Sequence, residues 1–178
     1  RALKKMKVIN TTFKDLKLIK SPIYKDNRGY FRELLIEKKI KKRFPFKVMS
    51  YSKKNVLRGL HLQTYNPQGK LVTVIKGSIL DVVVDLRKKS KTYLKHYKIV
   101  LSDENSTSIF IPPGFAHGFY TLSKENYIFY SCTKYRSKKS EISINWNDEN
   151  LKIKWPSQKP ILSRKDKQGL SLKEYLNK

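Results

Sequence analysis

Five segments of alternating or continuous apolar residues follow one another with only turn-forming residues between them: "KLVTVIKG" (70–77), "SILDVVVDLR" (78–87), "HYKIVLS" (96–102), "STSIFIPPG" (106–114) and "NYIFYSCTKY" (126–135). Successive side chains of a strand point to opposite faces, and short strands at this spacing are the pattern of an all-β sandwich or barrel. Helical periodicity is scarce. The clearest helix candidate is short and C-terminal, "SLKEYLNK" (171–178), where Ser171 is placed to cap the start. No internal repeat, linker or composition break marks a second unit, so residues 1–178 read as one domain. A chain of this length buries about two thirds of its unfolded surface and needs no staples. "RALKK" precedes Met6, which reads as the natural start, and residues 1–5 are set apart from the fold. Strands closed into a jelly roll leave a cavity between their sheets, where such folds bind ligands.

Charge narrows the partners less than its size suggests. Forty Lys and Arg against 14 Asp and Glu leave a formal charge of +26, which raises nucleic acid, an anionic membrane surface or a phosphorylated small molecule. The lysines are spread along the chain, with runs such as "EKKIKKR" and "RKKSK", as expected of a solvated lysine-rich surface. The single cysteine, Cys132, excludes an intramolecular disulfide and fits a reducing, cytoplasmic setting. No stretch approaches the roughly 18 apolar residues of a membrane span.

Within this pattern, "VLRGLHLQ" (56–63) places an arginine and a histidine in an apolar stretch that otherwise reads as a buried strand. Regular alternation puts Arg58, Leu60 and Leu62 on one face and Leu57, Gly59, His61 and Gln63 on the other. Arg58 reaches a cavity shared with His61 only if a bulge at Gly59 rotates the strand.

Seven segments together carry a resemblance: "DNRGYFRE" (26–33), "VLRGLHLQ" (56–63), "QGKLVTVIKGSILDVVVDLRKKSKTY" (68–93), "IPPGFAHGFY" (111–120), "YSCTKY" (130–135), "LKIKWP" (151–156) and "ILSRKDK" (161–167). In order and spacing they resemble the dTDP-4-dehydrorhamnose 3,5-epimerase family over nearly the whole chain. The resemblance implies a cupin-type jelly-roll β-sandwich and cofactor-independent epimerisation, at C3, C5 or both, of a nucleotide-diphosphate 4-keto-6-deoxy sugar in bacterial surface-polysaccharide synthesis.

The residue types fit that chemistry. A 4-keto group acidifies the hydrogens on C3 and C5, so a positioned base removes one and an acid on the opposite face returns it inverted. His61 matches the family's base, and a neutral imidazole suits that task near pH 7. Asp166, in "SRKD", matches the carboxylate that orients this histidine and stabilises its cation. Lys70, in "QGKLV", matches the lysine facing the enolate oxygen, and Tyr130 the acid of the far face. Among binding residues, Arg58 matches a diphosphate-contacting arginine and His117, in "PPGFAH", a sugar-pocket histidine, while Gln63 shares a strand face with His61. Arg28, Phe31 and Glu33 match residues that complete the nucleotide site of a neighbouring subunit, so a homodimer is implied.

Two departures fall on the nucleotide side of the pocket. Val48 and Ser50 stand where the family often has a Gln-x-Asn pair, and Arg136 follows Tyr135 where a second tyrosine usually packs on the base. A guanidinium stacks on a base and donates to the O6 and N7 of guanine, so the same chemistry on a GDP-linked 4-keto-heptose is the alternative reading. Two other classes share part of the pattern. A metal-dependent cupin matches "PPGFAH", but its paired histidines and following carboxylate fail against His61, Gln63 and Lys70, so no metal is expected. A nucleic-acid-binding β-domain is suggested by the charge and by "KKRFPFK", which mixes basic and aromatic residues.

Overall fold

The computed structural model describes residues 5–178. Of the N-terminal segment set apart above, residues 1–4 lie outside the described residues; Met6 is buried against Ile19, Phe44 and Leu71. The strands, in chain order, are β1 (Lys7–Asn10), β2 (Lys17–Lys20), β3 (Ile23–Asp26), β4 (Gly29–Arg32), β5 (Phe46–Lys53), β6 (Leu57–Gln63), β7 (Lys70–Lys76), β8 (Ser78–Asp85), β9 (His96–Ser102), β10 (Thr107–Ile111), β11 (Phe115–Thr121), β12 (Glu125–Cys132) and β13 (Glu141–Ser143). Three short helices accompany them: α1 (Glu37–Ile40), α2 (Arg164–Lys167) and α3 (Leu172–Leu176). A six-stranded antiparallel sheet runs β1-β2-β10-β7-β12-β5, a five-stranded one runs β13-β6-β11-β8-β9, and β3 and β4 form a separate hairpin. The expected all-β, cupin-type jelly-roll sandwich with a short C-terminal helix is therefore the observed architecture.

Alternation assigns each strand's faces. Val72 and Val74 of β7, Ile109 and Ile111 of β10, and Ile128 of β12 meet Ile79 and Val83 of β8, Leu101 of β9, and Phe115 and Phe119 of β11 in one buried cluster between the sheets. Leu57, Leu60, Leu62, Val82, Val84, Ala116 and Tyr120 face the other way, where the C-terminal segment covers them with Leu151, Ile153, Trp155 and Leu172. Each buried aliphatic or aromatic side chain contributes roughly 1.5–3 kcal/mol, so this second layer anchors the segment that carries α2 against the five-stranded sheet. Ser171 caps α3 in a full capping box with Glu174, as its position predicts.

The strand β6 departs from regular alternation. His117 pairs with His61 and Phe119 with Arg58, so Gly59 and Leu60 together oppose the single residue Gly118. This is the bulge that Arg58 required, and it shifts the phase: Leu57 joins Leu60 and Leu62 in the outer core, while Arg58 turns to the cavity beside His61. Gly59 has φ +119, and a Cβ there would stand 2.6 Å from both Gly118 Cα and His117 O. Only glycine accommodates that backbone and that approach.

Candidate active site

The inward faces of the strands carry polar residues at one end of the sandwich. Lys70 continues the face of Val72 and Val74, Tyr130 and Cys132 that of Ile128, and His117 that of Phe115 and Phe119. They line a cavity of about 460 Å³ together with Phe46, Val48, Ser50, Arg58, His61 and Arg136. An adjoining recess of about 250 Å³ shares Arg58, His61, Lys70 and Arg136 and adds Gln63, Ser163, Lys165 and Asp166. His61 and His117 belong to the five-stranded sheet, Lys70 and Tyr130 to the six-stranded sheet, so the two pairs face each other across the cavity.

His61 Nε2 lies 2.5 Å from Asp166 Oδ1. Asp166 is 3% exposed, and Ser163 Oγ donates to Oδ2 at 2.9 Å while Ser143 Oγ donates to Oδ1 at 3.3 Å. The Asp166 backbone N–H returns a bond to Ser163 Oγ, which caps α2. Burial raises the Asp166 carboxyl, but the His61 hydrogen bond, the nearby imidazole charge and the two serines outweigh it and hold it below its ordinary value. An ionised carboxylate only accepts, so Nε2 carries a proton, and in the neutral imidazole it is Nδ1 that holds the lone pair.

On the opposite sheet, burial pushes the Tyr130 phenol above its ordinary value; Ser50, whose Oγ is 3.1 Å from the phenol oxygen, acts against this, and the Asp81 charge adds to it. The phenol is thus held as a proton donor. Lys70 is lowered chiefly by burial and makes no hydrogen bond or ion pair within the described residues, leaving its ammonium available to a developing oxyanion. Arg58 donates from Nε to Ser52 Oγ at 2.9 Å and from Nη2 to the Tyr51 carbonyl at 3.1 Å. It has no carboxylate partner among the described residues, so its charge is open to an anionic ligand.

Not every expected residue is placed to bind. The Gln63 amide is spent on backbone: Nε2 donates to the Asn66 and Tyr135 carbonyls, and Oε1 accepts from Ser137 N–H. It fixes the loop carrying Arg136 and does not offer itself to a ligand. Arg136 is held by Glu141, with Nε donating to Oε1 and Nη2 to Oε2, and Lys165 donates to the same carboxylate at 2.8 Å. Arg28 and Phe31 lie on the β3–β4 hairpin, away from this cavity, with Arg28 paired to Asp26 at 2.6 Å and Phe31 65% exposed. Glu33 follows β4 and does not line the cavity either. Sequence reasoning missed Glu141, Lys165 and Asp81. The signal was weak: Asp81 is a single carboxylate inside the apolar run "SILDVVVDLR".

Among the described residues no three His, Cys, Asp or Glu side chains gather as a metal cluster. The aromatics of "KKRFPFK" do not form an exposed basic platform: Phe44 is 1% exposed and packs edge-on against Phe110, and Phe46 packs against Tyr135. No described helix is long and apolar enough to cross a membrane.

A jelly-roll sandwich whose cavity sets a carboxylate-backed imidazole on one sheet against a buried phenol and a lysine on the other has the make-up of a cupin-fold enzyme. Comparison with known proteins makes the class specific. The chain belongs to the dTDP-4-dehydrorhamnose 3,5-epimerase family, whose model matches residues 10–174. It is similar to the dTDP-4-dehydrorhamnose 3,5-epimerase of Salmonella typhimurium (strain LT2), with 45% identity over 90% of this chain and 92% of that protein. The enzyme of the same name from Methanothermobacter thermautotrophicus is 42% identical over 93% and 94% of the two chains. Among solved structures, a dTDP-6-deoxy-D-glucose-3,5-epimerase of Legionella pneumophila Philadelphia 1 in complex with dTDP-4-keto-L-rhamnose superposes with a TM-score of 0.90 at 42% identity, covering 94% of this chain and 93% of that one. The chain is accordingly an epimerase, an isomerase by class.

Proposed function

We propose that the protein epimerises C3 and C5 of dTDP-4-keto-6-deoxyglucose, as a single cupin-like domain acting without metal or nicotinamide in the cytoplasm. The observation that carries this reading is the placement of His61 and Tyr130 on opposite sheets of one cavity, with Lys70 beside Tyr130's strand. His61 Nδ1 removes the proton from the carbon next to the keto group, and the electron pair moves onto the keto oxygen as an enolate. Lys70 stabilises that oxygen, a contribution of about 2.7–4 kcal/mol for one well-placed donor. Tyr130 then delivers a proton to the other face, and solvent restores the imidazole and the phenol. Asp166 holds the ring of His61 and stabilises its cation.

Arg58 receives the diphosphate. The β3–β4 hairpin of a second copy brings Arg28, Phe31 and Glu33 to the nucleotide, which accounts for their distance from the cavity of their own chain and for the exposed ring of Phe31. Thymine is favoured over guanine because the two-pronged donor edge of Arg136 is spent on Glu141. Incubation with dTDP-4-keto-6-deoxyglucose in deuterated water tests the assignment: deuterium is expected at both C3 and C5 with inversion at both. Exchange at neither carbon overturns it, and exchange at one alone reduces it to a single-centre epimerase.

A further inference from the structure

The inward face of β5 alternates Phe46, Val48, Ser50 and Ser52, and its two serines are each spent on a side chain of the cavity. Ser52 Oγ accepts from Arg58 Nε at 2.9 Å, and Ser50 Oγ lies 3.1 Å from the Tyr130 phenol oxygen. Val48 stands opposite Tyr130 and Ser50 opposite Ile128, so the two hydroxyls meet on the diagonal between β5 and β12. We propose that Ser50 is a positioning residue for the acid: its hydroxyl donates to the Tyr130 oxygen, leaves the phenol's own proton to point at the sugar, and stabilises and reprotonates the phenolate that delivery leaves behind. This role rests on the epimerase reading above, in which Tyr130 is the acid of the far face.

Ser50 is the one hydrogen-bonding partner of the phenol among the described residues. Two hydroxyls in contact share one bond, which either can donate. A phenol that donated to Ser50 would withhold its proton from the ligand, so an acid at Tyr130 requires the serine to be the donor. Burial, and after it the Asp81 charge, works against a phenolate here; the Ser50 bond is the main counterweight, ahead of the Arg58 charge. A hydrogen bond to an ionised acceptor is roughly twice as strong as a neutral one. The Ser50 bond therefore strengthens as the phenol gives up its proton, and it favours the transition state over the resting pair.

The step balances within the site and one water. The enolate's electron pair takes the phenol's proton: the O–H bond of Tyr130 breaks, a C–H bond forms on the far face, and the O–H electron pair stays on Tyr130 as a phenolate. Ser50 passes its hydroxyl proton to that oxygen and draws a replacement from water, while the His61 imidazolium releases the proton it took. No net proton is consumed. Ser50 is placed for the exchange, because it is half-buried on an edge strand, borders the cavity and has the exposed Val48 and Met49 beside it. It is also one of the two positions at which this chain departs from the Gln-x-Asn pair, and here the shorter side chain is engaged by the phenol.

Deuterium wash-in and net inversion of dTDP-4-keto-6-deoxyglucose, followed together by NMR in deuterated water, test the role. Ser50→Ala should lower kcat for inversion about 10- to 100-fold, the size of a hydrogen bond to a charged group, while wash-in and KM stay within about twofold of wild type. Ser50→Thr, which restores the hydroxyl on a residue suited to a strand, should return inversion to within about threefold of wild type. In Tyr130→Phe there is no phenol oxygen to receive the bond, so adding Ser50→Ala should cost nothing further. Four results overturn the proposal: unchanged inversion in Ser50→Ala, a raised KM with kcat retained, losses in Ser50→Thr or in wash-in as deep as the loss of inversion in Ser50→Ala, or additive losses in the double variant. A wild type that neither exchanges nor inverts overturns the epimerase reading and this role with it, whereas a wild type that inverts beside an unaffected Ser50→Ala overturns this role alone.

Discussion

Asp166 meets His61 across 105 residues of sequence, with Oδ1 2.5 Å from Nε2, because the C-terminal segment folds back over the outer face of β6. The contact leaves one lone pair on the imidazole and directs it at the cavity. His61→Asn should therefore abolish deuterium incorporation into the sugar, lowering its rate by about 10²–10⁴ or more, the range of general base catalysis, while circular dichroism shows the fold retained. Substantial exchange by the variant would remove His61 from this role.

Tyr130 serves the other face, so its loss should separate two rates that the wild type couples. In Tyr130→Phe, abstraction and same-face return by His61 persist, and net inversion should fall by about 10²–10³ more than deuterium wash-in falls. NMR of the sugar reads both in one sample. Equal losses would show that the phenol does not act on the far face alone.

Gly59→Ala tests the bulge. The added methyl would lie 2.6 Å from the backbone of the neighbouring strand, at a φ of +119 that L residues avoid. A loss of at least about 2 kcal/mol in denaturant unfolding is expected. Activity should fall with it, since β6 and β11 carry His61 and His117. A variant with wild-type midpoint and rate would show that the strand has another way to pair.

Acid stability should report two carboxyl groups. Burial raises Asp85, but bonds from Arg87, Ser90 and Thr92 outweigh it and hold it at about 2 against an ordinary 3.8. The Arg136 bond first, and then Lys165 against the cost of burial, hold Glu141 at about 2 against 4.5. Both are depressed in the folded state, so their contribution is complete above pH 4.5 and is lost as pH falls toward 2. Asp85→Asn should lower stability at pH 7 by about 2 kcal/mol and flatten the acid limb. Denaturant midpoints measured from pH 7 to pH 2 check the sign, and an unchanged slope would refute it.

Arg136 bears on the nucleotide. With its fork closed on Glu141, calorimetric titration should find dTDP binding at least about tenfold more tightly than GDP. GDP binding as tightly as dTDP would instead show that the fork opens to a guanine edge and would restore the GDP-heptose reading.

How far the sequence reached depends on the range of the physics involved. The segments 70–77 and 96–102 became β7 and β9 with bounds displaced by at most one residue, and Ser171 capped α3, because strand period and helix capping act over a few residues. The motifs carrying His61, Lys70, Tyr130 and Asp166 named residues that the fold brings to the cavity and its adjoining recess. What alternation alone could not give was the phase of β6. That depends on Gly59 meeting Gly118 across a strand pair nearly sixty residues apart, a close approach with no local signature. The same reason hid Asp81 within an apolar run and left Gln63 and Arg136 looking like free ligand-binding groups. Whether a polar side chain faces a substrate or is spent on a partner is decided by which strands become neighbours, and only the closed sandwich determines that.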